Sequence, residues 1–177
     1  SISRDVSGLV ACAASALSFI WALLAFIALQ GSGQDVLLQH YGEWLSTPTV
    51  SFSFGLMLDQ LSATMVLFIT GVGTLIHIYS VGYMSHDRSY SRYFAYLNLF
   101  LFSMLVLVLG DNLVLMFVGW EGVGLCSYLL IGFWYEDPAK AAAGMKAFVF
   151  NRIGDLGFLL GIFTLVTVFG TVTFLSE

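Results

Sequence analysis

Long apolar runs separated by short polar segments dominate this chain, and five of the runs are long enough to cross a bilayer as helices. A helix rises about 1.5 Å per residue, so about 20 apolar residues span the hydrocarbon core. The pattern therefore predicts an all-α, polytopic transmembrane helix bundle that forms a single region over residues 1–177. The predicted spans are residues 6–29, 61–84, 93–110, 112–135 and 147–169.

The segments between the runs predict how the helices are connected. Asp111 and Asn112 lie directly between the third and fourth runs, so these two spans should form an antiparallel hairpin. The longest connector includes residues 51–59, whose alternation is typical of a short strand or of a segment at the membrane surface. Asp59 and Ser62 lie where the second helix should begin, and an acid there complements the positive end of the helix dipole.

Basic residues are predicted to lie on only one side of the bundle. When five spans alternate in direction, five of the six Lys and Arg residues fall in segments on the same side, and the opposite segments contain none. By the positive-inside rule, this side is expected to face the cytoplasm or its topological equivalent. The five residues are Arg4, Arg88, Arg92, Lys140 and Lys146.

Composition supports a membrane protein and argues against several other classes. Apolar residues make up 59% of the chain and charged residues 10%, compared with about 25% charged in soluble domains. Six basic residues provide no phosphate-binding stripe, so nucleic acid is not an expected partner. The absence of Walker, GxGxxG, GxSxG and HExxH motifs predicts no nucleotide, flavin or metal site in this chain. Cys12 and Cys126 lie in apolar runs and are expected to be small core residues without a disulfide.

The fourth run contains a single charge, Glu121, about 12 Å into the predicted helix. A charge at such a depth costs about 2.5–3.5 kcal/mol on insertion scales, so the residue should be protonated, paired or in contact with internal water. Gly124, Tyr128 and Gly132 share its helix face, and glycines allow a second helix or a file of water to approach closely. The pattern fits a functional carboxylate, and it also fits a protonated acid that only holds two helices together.

A second charged cluster is predicted in the fifth run, where Arg152 and Asp155 are three residues apart on one helix face. Burying the pair costs less than burying either charge alone, although desolvation makes it a weak source of stability. Gly154, Gly157 and Gly161 form another stripe, through which this helix is expected to pack while it presents the ion pair elsewhere. The pair can be a structural clamp or can take part in proton movement.

His77 lies in the last third of the second run. A lone histidine at such a position is commonly a hydrogen-bonded residue between helices, and it can also relay protons. Both interpretations remain open from the sequence.

Residues 51–169 resemble a known family. The segments GWEGVGLCSYLLIGFWY (119–135) and DPAKAAAGMKAFVFNRIGDLGF (137–158) are similar to the antiporter-like distal membrane-arm subunit of respiratory complex I, the proton-pumping NADH:quinone oxidoreductase. This is the subunit L or chain 5 type. FGLMLDQLSATM, GVGTLIHIYSVGYM and SRYFAYLNLF resemble its preceding helices. The resemblance implies that the chain is the N-terminal portion of a larger subunit.

The resemblance also implies a function. Glu121 of the WEG motif would belong to the proton-translocating apparatus together with Arg152 and Asp155, and Lys146 and His77 complete the residues predicted for proton transfer or its tuning. In the family, the glutamate pairs with a lysine from a later helix, beyond Glu177. FMN, iron–sulfur clusters and quinone are expected in other subunits, with no cofactor in this chain.

The expected surroundings follow from the same resemblance. The partners would be other membrane-arm subunits and the lipid bilayer, in a bacterial inner membrane rather than a mitochondrial or thylakoid membrane. Two alternatives remain open: a subunit of an Mrp-type cation/proton antiporter, and a purely structural subunit without a proton path.

Overall fold

The computed structural model describes residues 4–46 and 51–174, and five helices there follow the order of the predicted spans. All five are long and apolar enough to cross a membrane, which confirms the polytopic all-α fold class. The last helix begins well before residue 147 because an alanine-rich, helix-favouring segment precedes the span. The helices are α1 (Arg4–Ser32), α2 (Gln60–Tyr83), α3 (Tyr90–Leu109), α4 (Leu113–Ile131) and α5 (Pro138–Phe169).

Polar side chains fix the starts of three helices. Asp59 accepts a hydrogen bond from the amide of Ser62 at 2.7 Å, and the Ser62 hydroxyl accepts one from the amide of Asp59 at 2.8 Å. This reciprocal arrangement satisfies amides that the first turn of α2 leaves unpaired. Asn112 caps α4 and Asp137 caps α5 through their side-chain oxygens.

A two-stranded antiparallel hairpin lies between α1 and α2, where the sequence pattern was typical of a strand only within residues 51–59. Its strands are β1 (Val36–Ser46) and β2 (Ser51–Asp59). Of the two alternatives left open for residues 51–59, the structure has the strand, whereas β1 was not predicted. Tyr41 and Trp44 are extra residues at two register shifts, so the alternation of β1 is interrupted twice.

The hairpin docks on the turn between α3 and α4. The amide of Asp111 donates to the carbonyl of Gly55 at 3.3 Å, and Nδ1 of His40 lies 3.5 Å from Oδ2 of Asp111. A side chain at position 55 would overlap the Asp111 carboxylate, so glycine is required for this close approach. Asp111 is buried, and it also accepts from Nδ2 of Asn112 at 2.7 Å.

Close glycine contacts bring α4 against both of its neighbours. Gly119 faces the backbone of Leu107 on α3, where an added Cβ would overlap main-chain atoms. Towards the other end of α4, Gly132 lies against Gly144 of α5. The expectation that Gly132 permits close helix approach is therefore confirmed, and α4 is held between α3 and α5.

An aromatic core lies at the end of the bundle where the five basic residues Arg4, Arg88, Arg92, Lys140 and Lys146 are found, which we call the basic end. Tyr90, Phe94 and Phe133 are buried there against Ala11 of α1 and against Met84, which directly follows α2. The guanidinium of Arg92 lies 4.9 Å from the centre of the Phe133 ring and donates to the Phe133 carbonyl at 3.3 Å. The structure thus gathers the segments that contain the five basic residues at one end, as the alternating spans predict.

The glycine stripe of α5 does not have the predicted role within the described residues. An added Cβ at Gly154, Gly157 or Gly161 would meet no atom within 4 Å, and all three glycines are exposed. The Arg152–Asp155 face is instead the one directed towards α4. The small-residue spacing identified a smooth surface, but the face of α5 that meets α4 contains the charged groups and Gly144.

Candidate functional site

An ion pair between neighbouring helices forms the centre of the candidate site. Glu121 on α4 pairs through Oε2 with Nη1 of Arg152 on α5. Both side chains are half-buried among the described residues, at 28% and 34% exposure. Of the three states expected for Glu121, this contact corresponds to the paired one, since an opposite charge of the next helix faces it.

Asp155 provides a second acid to the same arginine. Its Oδ2 lies 3.3 Å from Nη1 of Arg152, which confirms the predicted pairing within α5. Its Oδ1 accepts a hydrogen bond from Nε1 of Trp120 at 2.8 Å. Asp155 is only 5% exposed, so these two donors compensate for much of the lost hydration of its carboxylate.

Aromatic rings surround the charged groups on two sides. The guanidinium of Arg152 lies 4.7 Å from the centre of the Phe148 ring, which contacts Tyr128 at 5.3 Å between ring centres. On the other side, Trp120 meets Phe158 edge-on at 5.4 Å. The rings limit the positions available to Trp120 and Arg152, and a low-dielectric wall strengthens the electrostatic interactions between the charges.

A cavity of about 210 Å³ lies beside the cluster and reaches Asp155. Asn151 and Ser127 contribute polar groups to its wall, and Gly124 leaves space beside Nη2 of Arg152. The wall is mostly apolar, and the volume is sufficient for several water molecules, each of which occupies about 30 Å³ in the liquid. Water in this cavity would lie against Asp155, whereas Glu121 is not among the residues that line it.

The cluster contains two carboxylates and one guanidinium. When both acids are ionised, these three groups carry a net charge of −1, which is unfavourable in a membrane-embedded helix pair. The imbalance can be removed by one proton or by one further cation. The described geometry is thus that of a site that can bind and release a single positive charge.

Two predicted site residues lie elsewhere. His77 is buried between helices, where Nδ1 lies 2.7 Å from the carbonyl of Gly73 and the ring packs against Phe94. Lys146 is exposed near the start of α5 and forms no ion pair with the described residues. Neither contacts the charged cluster in the described part of the chain, and their roles stay predictions.

Trp120 was not predicted as a site residue. Its signal in the sequence was its position directly before Glu121, combined with an indole N–H that must find an acceptor when the ring is buried or faces lipid. The hydrogen bond to Asp155 could not be predicted, because it depends on how α4 and α5 are rotated against each other.

Comparison with known families gives two matches that together cover about two thirds of the chain. A family model described as NADH-Ubiquinone oxidoreductase (complex I), chain 5 N-terminus, matches residues 44–94. A second, described as NADH:quinone oxidoreductase/Mrp antiporter, TM, matches residues 110–177. The second match contains the whole charged cluster.

Curated relatives are similar over nearly the full chain. NADH-quinone oxidoreductase subunit L of Mycobacterium tuberculosis (strain H37Rv) is 51% identical over 168 residues, which are 94% of this chain and 26% of the relative. The protein of the same name in Escherichia coli (strain K12) is 48% identical over 174 residues, which are 97% of this chain and 28% of the relative. The chain thus spans about a quarter of the length of these relatives.

Solved structures share the fold at lower sequence identity. A chain of the Mrp complex from Dietzia sp. DQ12-45-1b gives a TM-score of 0.73 at 24% identity, over 97% of this chain and 20% of that one. A chain of the archaeal membrane-bound sulfane sulfur reductase gives 0.80 at 20% identity, over 94% of this chain and 33% of that one. The family matches and the identity to subunit L carry the assignment. This chain belongs to the family of antiporter-like membrane subunits of NADH:quinone oxidoreductases, the subunit L or chain 5 type.

Proposed function

We propose that this chain is part of a proton-translocating membrane subunit of NADH:quinone oxidoreductase, which couples quinone reduction elsewhere in the complex to proton transfer through buried charges. The observation that carries the proposal is the cluster of Glu121, Arg152 and Asp155, in which two acids share one guanidinium between two membrane helices. Its family supports the same interpretation. The chain supplies no redox site in this proposal, and FMN, iron–sulfur clusters and quinone belong to other subunits.

The charge balance of the cluster gives the proton step a physical basis. An ionised Glu121 is stabilised while a cation is close to it, and it becomes ready to accept a proton when that cation moves away. Arg152 is the cation provided by the described residues, and a lysine of a later helix would be a second one. Movement of either cation would therefore change the proton occupancy of Glu121.

The surroundings of the subunit are part of the same proposal. The partners are other membrane-arm subunits and lipid, and the membrane is the bacterial inner membrane, which the similarity to bacterial relatives supports. The basic end faces the cytoplasm, as expected from the distribution of basic residues.

A cation/proton antiporter subunit is the alternative function. The family model that matches residues 110–177 is described for both NADH:quinone oxidoreductases and Mrp antiporters. In that case the same cluster would exchange protons against Na⁺ or K⁺. The subunits that copurify distinguish the two functions, because a peripheral arm with flavin and iron–sulfur clusters occurs only in the first.

Substitution of Glu121 tests the proposal in the native complex. Glu121→Gln keeps the shape and the hydrogen bonding but cannot ionise, whereas Glu121→Asp keeps the charge on a shorter side chain. We expect normal assembly in both, loss of proton pumping per electron in the first and partial pumping in the second. Glu136→Gln, an exposed position beyond the end of α4, is the matched control. Normal pumping by an assembled Glu121→Gln complex would refute the proposal.

A further inference from the structure

Two adjacent residues of α4 contact different members of the charged cluster. Glu121 pairs with Arg152, while the preceding residue, Trp120, donates its indole N–H to Asp155. The helix therefore delivers one acceptor and one donor to the Arg152–Asp155 pair of α5. Of the two acids, only Asp155 has both carboxylate oxygens engaged by donors among the described residues, at 2.8 Å and 3.3 Å.

Both of these partners of Asp155 are donors only. An indole nitrogen and a guanidinium have no lone pair with which to accept a hydrogen bond. A proton on either oxygen of Asp155 would make that oxygen a weaker acceptor. The indole and the guanidinium could not compensate, because neither can accept a hydrogen bond from the new O–H group. At Glu121 the ion pair engages Oε2, so Oε1 can take a proton while Oε2 continues to face Arg152.

We propose that Trp120 is a positioning residue that keeps Asp155 ionised and thereby directs the exchangeable proton of the cluster to Glu121. The inference rests on the proposed function and adds the location of the proton. A hydrogen bond to a charged acceptor changes the ratio in which the proton is divided between the two acids by about tenfold or more. Without the indole donor, the proton would be shared between the two acids.

No other charged group competes in the described surroundings. From α4, Glu121 faces the cluster, and from α5 the guanidinium of Arg152 does so. Asn151 and Ser127 line the neighbouring cavity without a charge, and α3 contributes the apolar Leu107. The distribution of the proton is therefore a choice between the two acids.

A second tryptophan provides a matched control. Nε1 of Trp134 donates to Oδ2 of Asp87 at 2.8 Å, the same length as the Trp120–Asp155 bond, but at an exposed position of the basic end. Substitution of either tryptophan by phenylalanine removes one indole donor and keeps an aromatic ring. At position 120 the ring can still pack against Phe158.

The test is the infrared pH-difference spectrum of the assembled complex, in which protonated carboxyl groups give their own bands. In the otherwise unchanged protein, we expect a band that Glu121→Gln abolishes and that shifts when the carboxyl carbons of glutamate, and not those of aspartate, carry a heavy isotope. Asp155→Asn also removes the charge imbalance of the cluster, so the isotope label and not this variant assigns the band. In Trp120→Phe we expect a second band that disappears when Asp155→Asn is added. Trp134→Phe should leave the bands of the charged cluster unchanged and alter only the titration of Asp87.

Three results would overturn the inference. They are the absence of a second band in Trp120→Phe, the appearance in Trp134→Phe of a band that Asp155→Asn removes, and a shift of the Glu121-dependent band of the unchanged protein with labelled aspartate. Failure of the proposed function is recognised separately, because it appears as normal pumping in Glu121→Gln. The infrared bands report protonation whether or not the subunit transports protons.

Discussion

Gly119→Ala probes the contact on which the position of the charged cluster depends. An added Cβ at Gly119 would lie 2.6 Å from Cα and 2.9 Å from Cβ of Leu107, and it would also overlap the amide nitrogen of Leu107. Backbone atoms cannot escape by changing a rotamer, so α3 and α4 must separate. Overpacking of this kind costs about 1–3 kcal/mol. Because Trp120 and Glu121 follow directly, the separation would also shift the donor and the acceptor presented to α5.

A second glycine isolates the cost of the clash. Alanine is favoured over glycine inside a helix by about 0.5–1 kcal/mol, and this gain partly offsets the clash at position 119. At Gly82 of α2 an added Cβ meets no atom within 4 Å, so Gly82→Ala should have the gain alone. We therefore expect the thermal-denaturation midpoint of the purified complex to be lower for Gly119→Ala than for Gly82→Ala, with reduced pumping in the former. Equal midpoints, or a higher one for Gly119→Ala, would refute the backbone contact.

Further predictions concern the other helices and the loops. His77→Phe should leave thermal stability unchanged or raise it, since Nε2 is buried without a hydrogen-bond partner among the described residues, at a typical cost of about 1–3 kcal/mol; a large loss of stability would contradict this. The hydrogen bond from Trp134 lowers the pKa of Asp87, so the contact should stabilise the basic end above pH of about 4 and weaken as the pH falls through the folded-state pKa. The loss of thermal stability between pH 7 and pH 3 should be smaller in Trp134→Phe than in the unchanged protein. In sealed cells, an impermeant thiol reagent should label Gln39→Cys and not Arg88→Cys, and the reverse result would overturn the orientation.

The apolar runs allowed the bundle to be predicted because membrane helices must satisfy their backbone hydrogen bonds internally. The tight turn at Asp111 and the helix start at Asp59 could be predicted because turns and helix caps depend on only a few neighbouring residues. Strand β1 was not predicted because the register shifts at Tyr41 and Trp44 interrupt its alternation. A period of two cannot be recognised when extra residues change its phase twice within one strand.

Contacts between helices were predicted less completely. The Arg152–Asp155 pair lies within one helix, so its spacing in the sequence was sufficient to predict it. The contacts of Glu121 with Arg152 and of Trp120 with Asp155 join two helices, and no local pattern determines their relative rotation. The glycine stripe of α5 shows the same limit, because spacing predicts a face that can be approached closely but not the partner that approaches it.

The β-hairpin can complete its docking only late in biosynthesis. Strands β1 and β2 leave the ribosome before Asp111, which provides the amide for Gly55 and the carboxylate near His40. About 55 residues separate Gly55 from Asp111, and at 5–20 residues per second their synthesis takes roughly 3–11 s. During this interval the turn on which the hairpin docks has not yet been made. Newly made protein therefore passes through a stage in which this segment lacks its contacts with Asp111, and synthesis of the α3–α4 turn ends that stage.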